Sequence, residues 1–171
     1  MVETHPFGNF VPDNCKYLFL GTFTGKITDP SYDWFFGTKR NQFWPMLESV
    51  FGVGLKTKMN KLKLFSRLHM AIADIILQCE RSENSNADNN LTNIVYNTNA
   101  IVEIIEKNKI NTIFFSSRMA EKLFKRNFKE LISKYPEINL VTLPSPSPRY
   151  ATITKLEKII LYKELLPKLN S

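Results

Sequence analysis

The sequence is poor in metal-binding and redox-active side chains, with two cysteines and two histidines among its 171 residues. Cys15 and Cys79 are too few for a four-thiolate iron–sulfur or zinc site, and only His5 and His69 stand beside them, so we expect no metal and no cofactor. No apolar run approaches the roughly 20 residues of a membrane span, and residues 1–6 lack the basic and apolar regions of a signal peptide. We therefore expect a cytoplasmic monomer with reduced thiols and no membrane partner.

The sequence also lacks the glycine patterns of nucleotide-binding loops. Gly21 and Gly25 bound one loop, but this loop has neither the third glycine nor the lysine that phosphate and dinucleotide loops need. Acidic residues are outnumbered, because 23 Lys and Arg against 16 Asp and Glu give a net charge of +7. An excess of positive charge favours a polyanion such as nucleic acid, although it serves solubility about as often.

Strand-like and helix-like segments alternate along the chain, without a linker or an internal repeat. This alternation predicts a single domain over residues 1–171, an α/β three-layer sandwich around a mostly parallel four-stranded sheet. Short apolar runs predict the four strands: 17–20, 69–77, 112–115 and 140–143. Helical periodicity predicts five helices: 43–51, 59–68, 91–107, 119–132 and 153–166. The polar segment 80–93 is expected to be an exposed loop.

Two loop-like segments follow predicted strands. Residues 21–25 (Gly-Thr-Phe-Thr-Gly) lead into residues 36–44, and residues 143–149 (Leu-Pro-Ser-Pro-Ser-Pro-Arg) follow the last strand. Open α/β sheets bind their ligands at the carboxyl edge of the strands. We therefore expect both segments to face one crevice, which on a basic protein suggests a nucleic-acid site.

Four spaced segments carry a resemblance to a known family. They are residues 20–25, residues 40–44 (Arg-Asn-Gln-Phe-Trp), residues 73–82 with their Asp, Cys and Arg, and residues 143–148. Together and in this order they resemble the uracil-DNA glycosylase superfamily, and within it most closely the hypoxanthine (deoxyinosine) glycosylases. The resemblance implies that fold, DNA containing a damaged base as the partner, and metal-free hydrolysis of an N-glycosidic bond.

One departure from the uracil enzymes indicates which branch of the superfamily the sequence resembles most. Their first loop supplies an Asp or Asn that positions the attacking water, and Phe23 stands at that place here. A phenyl ring can neither orient nor deprotonate water. The hypoxanthine branch also lacks this polar residue, so hypoxanthine is the favoured base and uracil the next.

The resemblance also implies a set of site residues. Asn41 is the candidate catalytic amide, which would hold water or the base, although Asn is also a favoured helix cap. The candidate base-binding residues are Thr22, Phe23 and Phe43, although a phenylalanine such as Phe43 is more often a core aromatic. The candidate DNA-binding residues, for duplex or single strands, are Arg40, Ser145, Ser147, Pro148 and Arg149.

The sequence leaves open the role of Asp74 and the choice among three functions of the chain. Asp74 at a strand end is either catalytic or paired with a loop donor. The chain is either a glycosylase or a catalytically inactive nucleic-acid-binding protein of the same fold, which Phe23 would favour. An enzyme of free nucleosides is a third possibility, but it would have little use for a proline-rich wedge and a basic surface.

Overall fold

The computed structural model describes residues 1–27, 29–82 and 90–169. Seven strands are present in these ranges: β1 (Val2–Thr4), β2 (Tyr17–Gly21), β3 (Met70–Asp74), β4 (Ile76–Arg81), β5 (Leu91–Tyr96), β6 (Thr112–Phe115) and β7 (Asn139–Thr142). Six helices accompany them: α1 (Phe43–Phe51), α2 (Lys58–Arg67), α3 (Thr98–Lys107), α4 (Arg118–Asn127), α5 (Lys129–Lys134) and α6 (Lys155–Leu165).

The central sheet has four parallel strands in the order β3-β2-β6-β7. Both of its faces are covered, because alternate residues of β2 pack into two separate cores. Leu18 and Leu20 pack against α3, α4 and α5, whereas Phe19 packs against α1, α2 and α6. This is the three-layer sandwich that the sequence predicted, and it follows from strands whose residues are apolar on both faces.

Helix α6 is fixed at its start by a capping box. The Thr154 side chain accepts a hydrogen bond from the Glu157 N–H, and the Glu157 carboxylate accepts one from the Thr154 N–H. Such reciprocal bonds satisfy two donors that the first turn would otherwise leave open. They also set the rotation of the helix, so that Lys158 points inward and is 1% exposed.

A second sheet was not predicted. It contains β1, β4 and β5 in the order β1-β4-β5, and both pairings are antiparallel. The predicted helix over 91–107 is therefore wrong in its first part, since residues 91–96 form β5 and the helix begins only at Thr98. Residues 91–96 include three β-branched side chains and a tyrosine, which favour a strand. Pairing with β4 therefore outweighs the helix-like spacing of the apolar residues in this segment.

Two further boundaries differ from the prediction. The predicted strand 69–77, which the sequence pattern shows as interrupted by Asp74, is two strands, because β3 ends at Asp74 and β4 begins at Ile76 in the other sheet. The predicted helix 119–132 is interrupted at Phe128, where φ is −125° and ψ is 35°, and so becomes α4 and α5. The predicted loop 80–93 falls largely on residues 83–89, outside the described residues, and its ends belong to β4 and β5.

Candidate active site

The carboxyl ends of the parallel strands place the candidate residues at one edge of the sheet. Gly21 at the end of β2 lies directly opposite Asp74 at the end of β3. On the other side, Phe115 of β6 lies opposite Thr142 of β7. The loops that leave these strands therefore start beside one another, in the position where open α/β sheets bind ligands.

The structure brings the two predicted loop segments into direct contact. The backbone N–H of Gln42, the residue before α1, donates a hydrogen bond of 2.9 Å to the carbonyl oxygen of Pro146. Residues 36–44 and 143–149 thus form the two sides of one local structure at the sheet edge.

A buried lysine from α6 joins the same two segments. Lys158 Nζ donates to Gln42 Oε1 at 2.8 Å and to the Ser147 carbonyl oxygen at 3.1 Å. The Tyr150 ring covers the ammonium, with its centroid 5.4 Å from Nζ. Burial lowers the pKa of Lys158, and no carboxylate of the described residues offsets this effect. Sequence reasoning missed this residue, because the sequence does not distinguish one buried lysine from the many exposed ones.

Replacing Lys158 by Met should loosen both loops without loosening the sheet. Met keeps an apolar stem but removes two hydrogen bonds from a charged donor, each worth about 1.5–3 kcal/mol. We expect hydrogen exchange of the amides of residues 42, 147, 149 and 150 to accelerate at least tenfold, while the amides of β2 and β6 keep their rates. Lys155→Met on the exposed side of the same helix is the control. Equal acceleration throughout the protein would contradict a specific link between the loops.

Asn41 directly precedes Gln42, which is the N-cap residue of α1 in place of the predicted Asn41. Asn41 Oδ1 accepts a hydrogen bond of 2.9 Å from the Phe43 N–H at the start of α1. That bond fixes the amide orientation, because a backbone N–H can only donate. No residue of the described chain accepts a hydrogen bond from Nδ2, so the half-buried amide offers a donor to a ligand.

Phe43 lies in the core rather than at the edge of the site. Its ring is 0% exposed and packs between the rings of Phe19, Phe36 and Trp44, at centroid distances of 5.1, 4.3 and 4.8 Å. An extruded base could stack on Phe43 only if this packing opened. The structure therefore favours the core role that the sequence left open for this residue.

Phe36 is the aromatic residue that sequence reasoning missed. It is half-buried, and its ring covers Phe43. Its φ of 57° is in the left-handed region, which costs a non-glycine residue of order 1–3 kcal/mol and is found mostly at functional sites. No pattern in a single sequence distinguishes Phe36 from Phe35, whose side chain is 1% exposed.

Thr22 and Phe23 occupy the start of the first loop. Thr22 is 6% exposed, and its Oγ1 is the one fully buried side-chain polar atom of the described residues without a hydrogen-bond partner. Leaving such a group unpaired costs about 1–3 kcal/mol, and a ligand could reach it only if the packing around it opened. Phe23 is half-buried and lies edge-on to the His5 ring, with centroids 5.8 Å apart.

Asp74 is paired, and its partner is His5. The distance from His5 Nε2 to Asp74 Oδ2 is 2.7 Å, and both side chains are 4% exposed. The donor therefore comes from the segment that follows β1, and not from one of the loops at the sheet edge. No sequence pattern links two residues that are 69 positions apart.

Among the predicted DNA-binding residues, the two serines hold the backbone of their loop in place, and the other three residues are exposed. Ser145 Oγ accepts from the Ser147 N–H, and Ser147 Oγ accepts from the Arg149 N–H, each at 3.2 Å. These turns hold the backbone of the loop in place. Pro148, Arg149 and Arg40 are exposed.

The described ranges contain neither a metal-binding cluster nor a membrane-spanning helix. No group of three or more His, Cys, Asp or Glu side chains there could hold a metal ion. No helix in those ranges has the length and apolar character to cross a membrane.

Comparison with known proteins identifies the fold. No protein-family model matches the chain, and no curated protein matches it significantly. Among solved structures, the solution NMR structure of a "putative Uracil DNA glycosylase" from Methanosarcina acetivorans matches with a TM-score of 0.64 and 19% sequence identity, over 96% of this chain and 99% of that one. The chain therefore has an α/β fold of the uracil-DNA glycosylase type, as the sequence motifs implied.

Proposed function

We propose that this protein is a monofunctional DNA glycosylase, which hydrolyses the N-glycosidic bond of a deaminated base in DNA and leaves an abasic site. Hypoxanthine is the favoured base and uracil the next. The observation that carries the proposal is the contact between Gln42 and Pro146, which joins the Asn41 segment to the serine–proline loop at the carboxyl edge of the sheet. The similarity of fold to a protein described as a uracil DNA glycosylase supports it.

The serine–proline loop suits the extrusion of a base from the double helix. Flipping a nucleotide out of the stack costs a few kcal/mol, and a wedge inserted between base steps can offset this cost. Pro148 and Arg149 form the exposed tip of a loop whose backbone is held by two serine turns and by Lys158. Because the wedge is already ordered before it meets DNA, little conformational entropy is lost on binding.

The base pocket would use two groups at the sheet edge. Phe36 offers a partly exposed ring for stacking. The free Nδ2 of Asn41 can donate to a carbonyl oxygen of the base, which both hypoxanthine and uracil carry. The unpartnered Thr22 hydroxyl is fully buried and could reach the same ligand only if the packing around it opened. A donor directed at the departing base stabilises the negative charge that develops on it as the glycosidic bond breaks.

The proposal is tested with labelled oligonucleotides that contain deoxyinosine, deoxyuridine or deoxyxanthosine. Alkali should cleave the treated strand at the damaged position, most efficiently at deoxyinosine. Asn41→Ser should lower excision by about 10²–10³-fold, the usual effect of removing one stabilising donor, while the serine hydroxyl can still accept from the Phe43 N–H. Asn139→Ser, at the amino edge of the sheet, is the matched control and should keep the wild-type rate.

A nucleic-acid-binding protein without catalysis is the alternative, which Phe23 at the usual Asp or Asn position favours. It predicts that no oligonucleotide of the panel is cleaved, although DNA is bound with an affinity that falls steeply with salt. That combination would replace the glycosylase proposal. An unchanged excision rate in Asn41→Ser would instead remove Asn41 from the site.

A further inference from the structure

The His5–Asp74 pair is unusual because two ionisable side chains are almost wholly buried at the carboxyl edge of the sheet. Both are 4% exposed, and 2.7 Å separate His5 Nε2 from Asp74 Oδ2. Asp74 ends β3 directly opposite Gly21, the last residue of β2. The carboxylate is therefore adjacent to the first loop, where Phe23 has replaced the polar residue of the uracil enzymes.

The hydrogen bonds of His5 indicate which of its two ring nitrogens donates to Asp74. The backbone N–H of Phe7 donates to Nδ1 at 3.3 Å. A backbone N–H can only donate, so Nδ1 is unprotonated and Nε2 carries the proton that it donates to Asp74. Nε2 is thus the donor and Asp74 Oδ2 the acceptor of the 2.7 Å bond. The imidazole cannot rotate freely, because Phe7, Phe23 and Phe35 surround it at centroid distances of 5.0 to 6.0 Å.

His5 uses only one of the two carboxylate oxygens. No residue of the described chain donates a hydrogen bond to the other, Oδ1. Oδ1 lies against Gly21, where it would clash with an added Cβ, and the tip of the Phe36 ring lies 3.2 Å from the same Cβ position. The next residue, Thr22, carries the buried hydroxyl without a partner. A free carboxylate oxygen and a partly exposed ring thus belong to one corner of the sheet edge.

We propose that Asp74 is the general base of the glycosylase reaction and that His5 is its positioning residue. This inference rests on the proposed function. Water attacks C1′ as the C1′–N bond breaks, and the electron pair of that bond leaves with the base. Asp74 Oδ1 accepts one proton of the water and afterwards releases it to the departing base or to solvent. The products are an abasic sugar with a C1′ hydroxyl and a free base with a new N–H bond.

The first experiment replaces Asp74 by Asn, which keeps the size of the side chain and can still accept from His5 Nε2. Single-turnover excision should fall by about 10²–10⁴-fold, the usual contribution of a general base, whereas the affinity for substrate DNA should change by less than threefold. Asp13→Asn, an exposed carboxylate ahead of β2, is the control and should keep the wild-type rate. Added formate should partly restore excision in Asp74→Ala, because it can occupy the space of the missing carboxylate.

Two substitutions of His5 separate positioning from packing. His5→Phe preserves the aromatic packing but removes the donor, so its excision rate should fall at least tenfold. His5→Gln keeps an N–H donor and should retain a rate within a few-fold of the wild type. A wild-type rate in His5→Phe together with a loss in His5→Gln would show that only the shape of the ring matters, and would overturn the positioning role.

The outcomes distinguish this inference from the proposal on which it depends. If the wild type cleaves none of the three oligonucleotides, the glycosylase proposal fails and the role of Asp74 fails with it. If the wild type cleaves at least one and Asp74→Asn cleaves it at the same rate, only the assignment of Asp74 fails. A rate loss in Asp74→Asn that is matched by an equal loss of DNA affinity would also overturn it, because a general base acts on the chemical step.

Discussion

Phe43→Ala should lower the free energy of unfolding by about 3–5 kcal/mol, the usual cost of removing a buried phenyl ring. Phe43 is 0% exposed, and its ring contacts aromatic rings from both the core and the loop over α1. The free energy of unfolding of an ordinary domain is about 5–15 kcal/mol, so this substitution removes a large fraction of it. It is the largest single loss of stability that we expect. Urea denaturation followed by circular dichroism measures it.

Phe36→Leu is the matched comparison for Phe43. A leucine keeps part of the apolar contact with Phe43 but cannot stack on a base, so excision should fall while the unfolding midpoint changes little. Phe43→Leu should give the opposite result, with a lower midpoint and excision close to that of the wild type. If Phe43→Leu instead lowered the excision rate at an unchanged unfolding midpoint, Phe43 would be the residue that stacks on the base, as the family resemblance implied.

The parallel sheet could be predicted because its strands are apolar on both faces. Leu18, Phe19 and Leu20 are each 0–1% exposed, and such a continuous apolar run is readily recognised in a sequence. The antiparallel sheet could not be predicted in the same way. In β5 only Leu91 is buried, while Thr92, Asn93 and Val95 are exposed, so hydrophobicity alone does not distinguish this strand from a helix.

The loops of the site were predictable for a similar reason, and its side-chain contacts were not. Loops that follow parallel strands must begin at the same edge of the sheet, whichever residues they contain. The residues that hold those loops come from distant parts of the chain. Lys158 lies 116 positions from Gln42, and His5 precedes the first strand of the central sheet altogether. Contacts at such separations depend on the tertiary structure, and neither periodicity nor local motifs contain this information.

Gly21→Ala should abolish most of the excision activity through the position of one carboxylate. An added Cβ would clash with Asp74 Oδ1, and the tip of the Phe36 ring would lie 3.2 Å from it. The backbone cannot easily yield, because Gly21 ends a central strand and its carbonyl oxygen accepts from the Ile75 N–H at 2.9 Å. The carboxylate must therefore move against its bond to His5. A displacement of about 1 Å in a catalytic group can cost 10²-fold in rate.

The matched control for this prediction is Gly54→Ala. An added Cβ there has open space around it, and the backbone of Gly54 is compatible with an alanine. We expect this variant to keep the wild-type excision rate and to be as stable as the wild type or more stable by up to about 1 kcal/mol. Gly21→Ala should lose about 1–3 kcal/mol of stability through overpacking, which leaves it folded at 25 °C for a domain of ordinary stability. Its rate loss can then be assigned to the site.

A double variant shows whether Gly21 acts through Asp74. If Gly21→Ala harms the reaction only by displacing the carboxylate, adding it to Asp74→Asn should reduce the rate little further, because the group that it displaces has already lost its function. Residues that act as one unit are strongly non-additive in this way, whereas independent effects multiply. Single-turnover rates of the two single variants and the double variant measure the coupling. A double variant whose rate loss equals the product of the two single losses would show that the space beside Gly21 serves substrate binding separately, and that Asp74 is not the group that Gly21 accommodates.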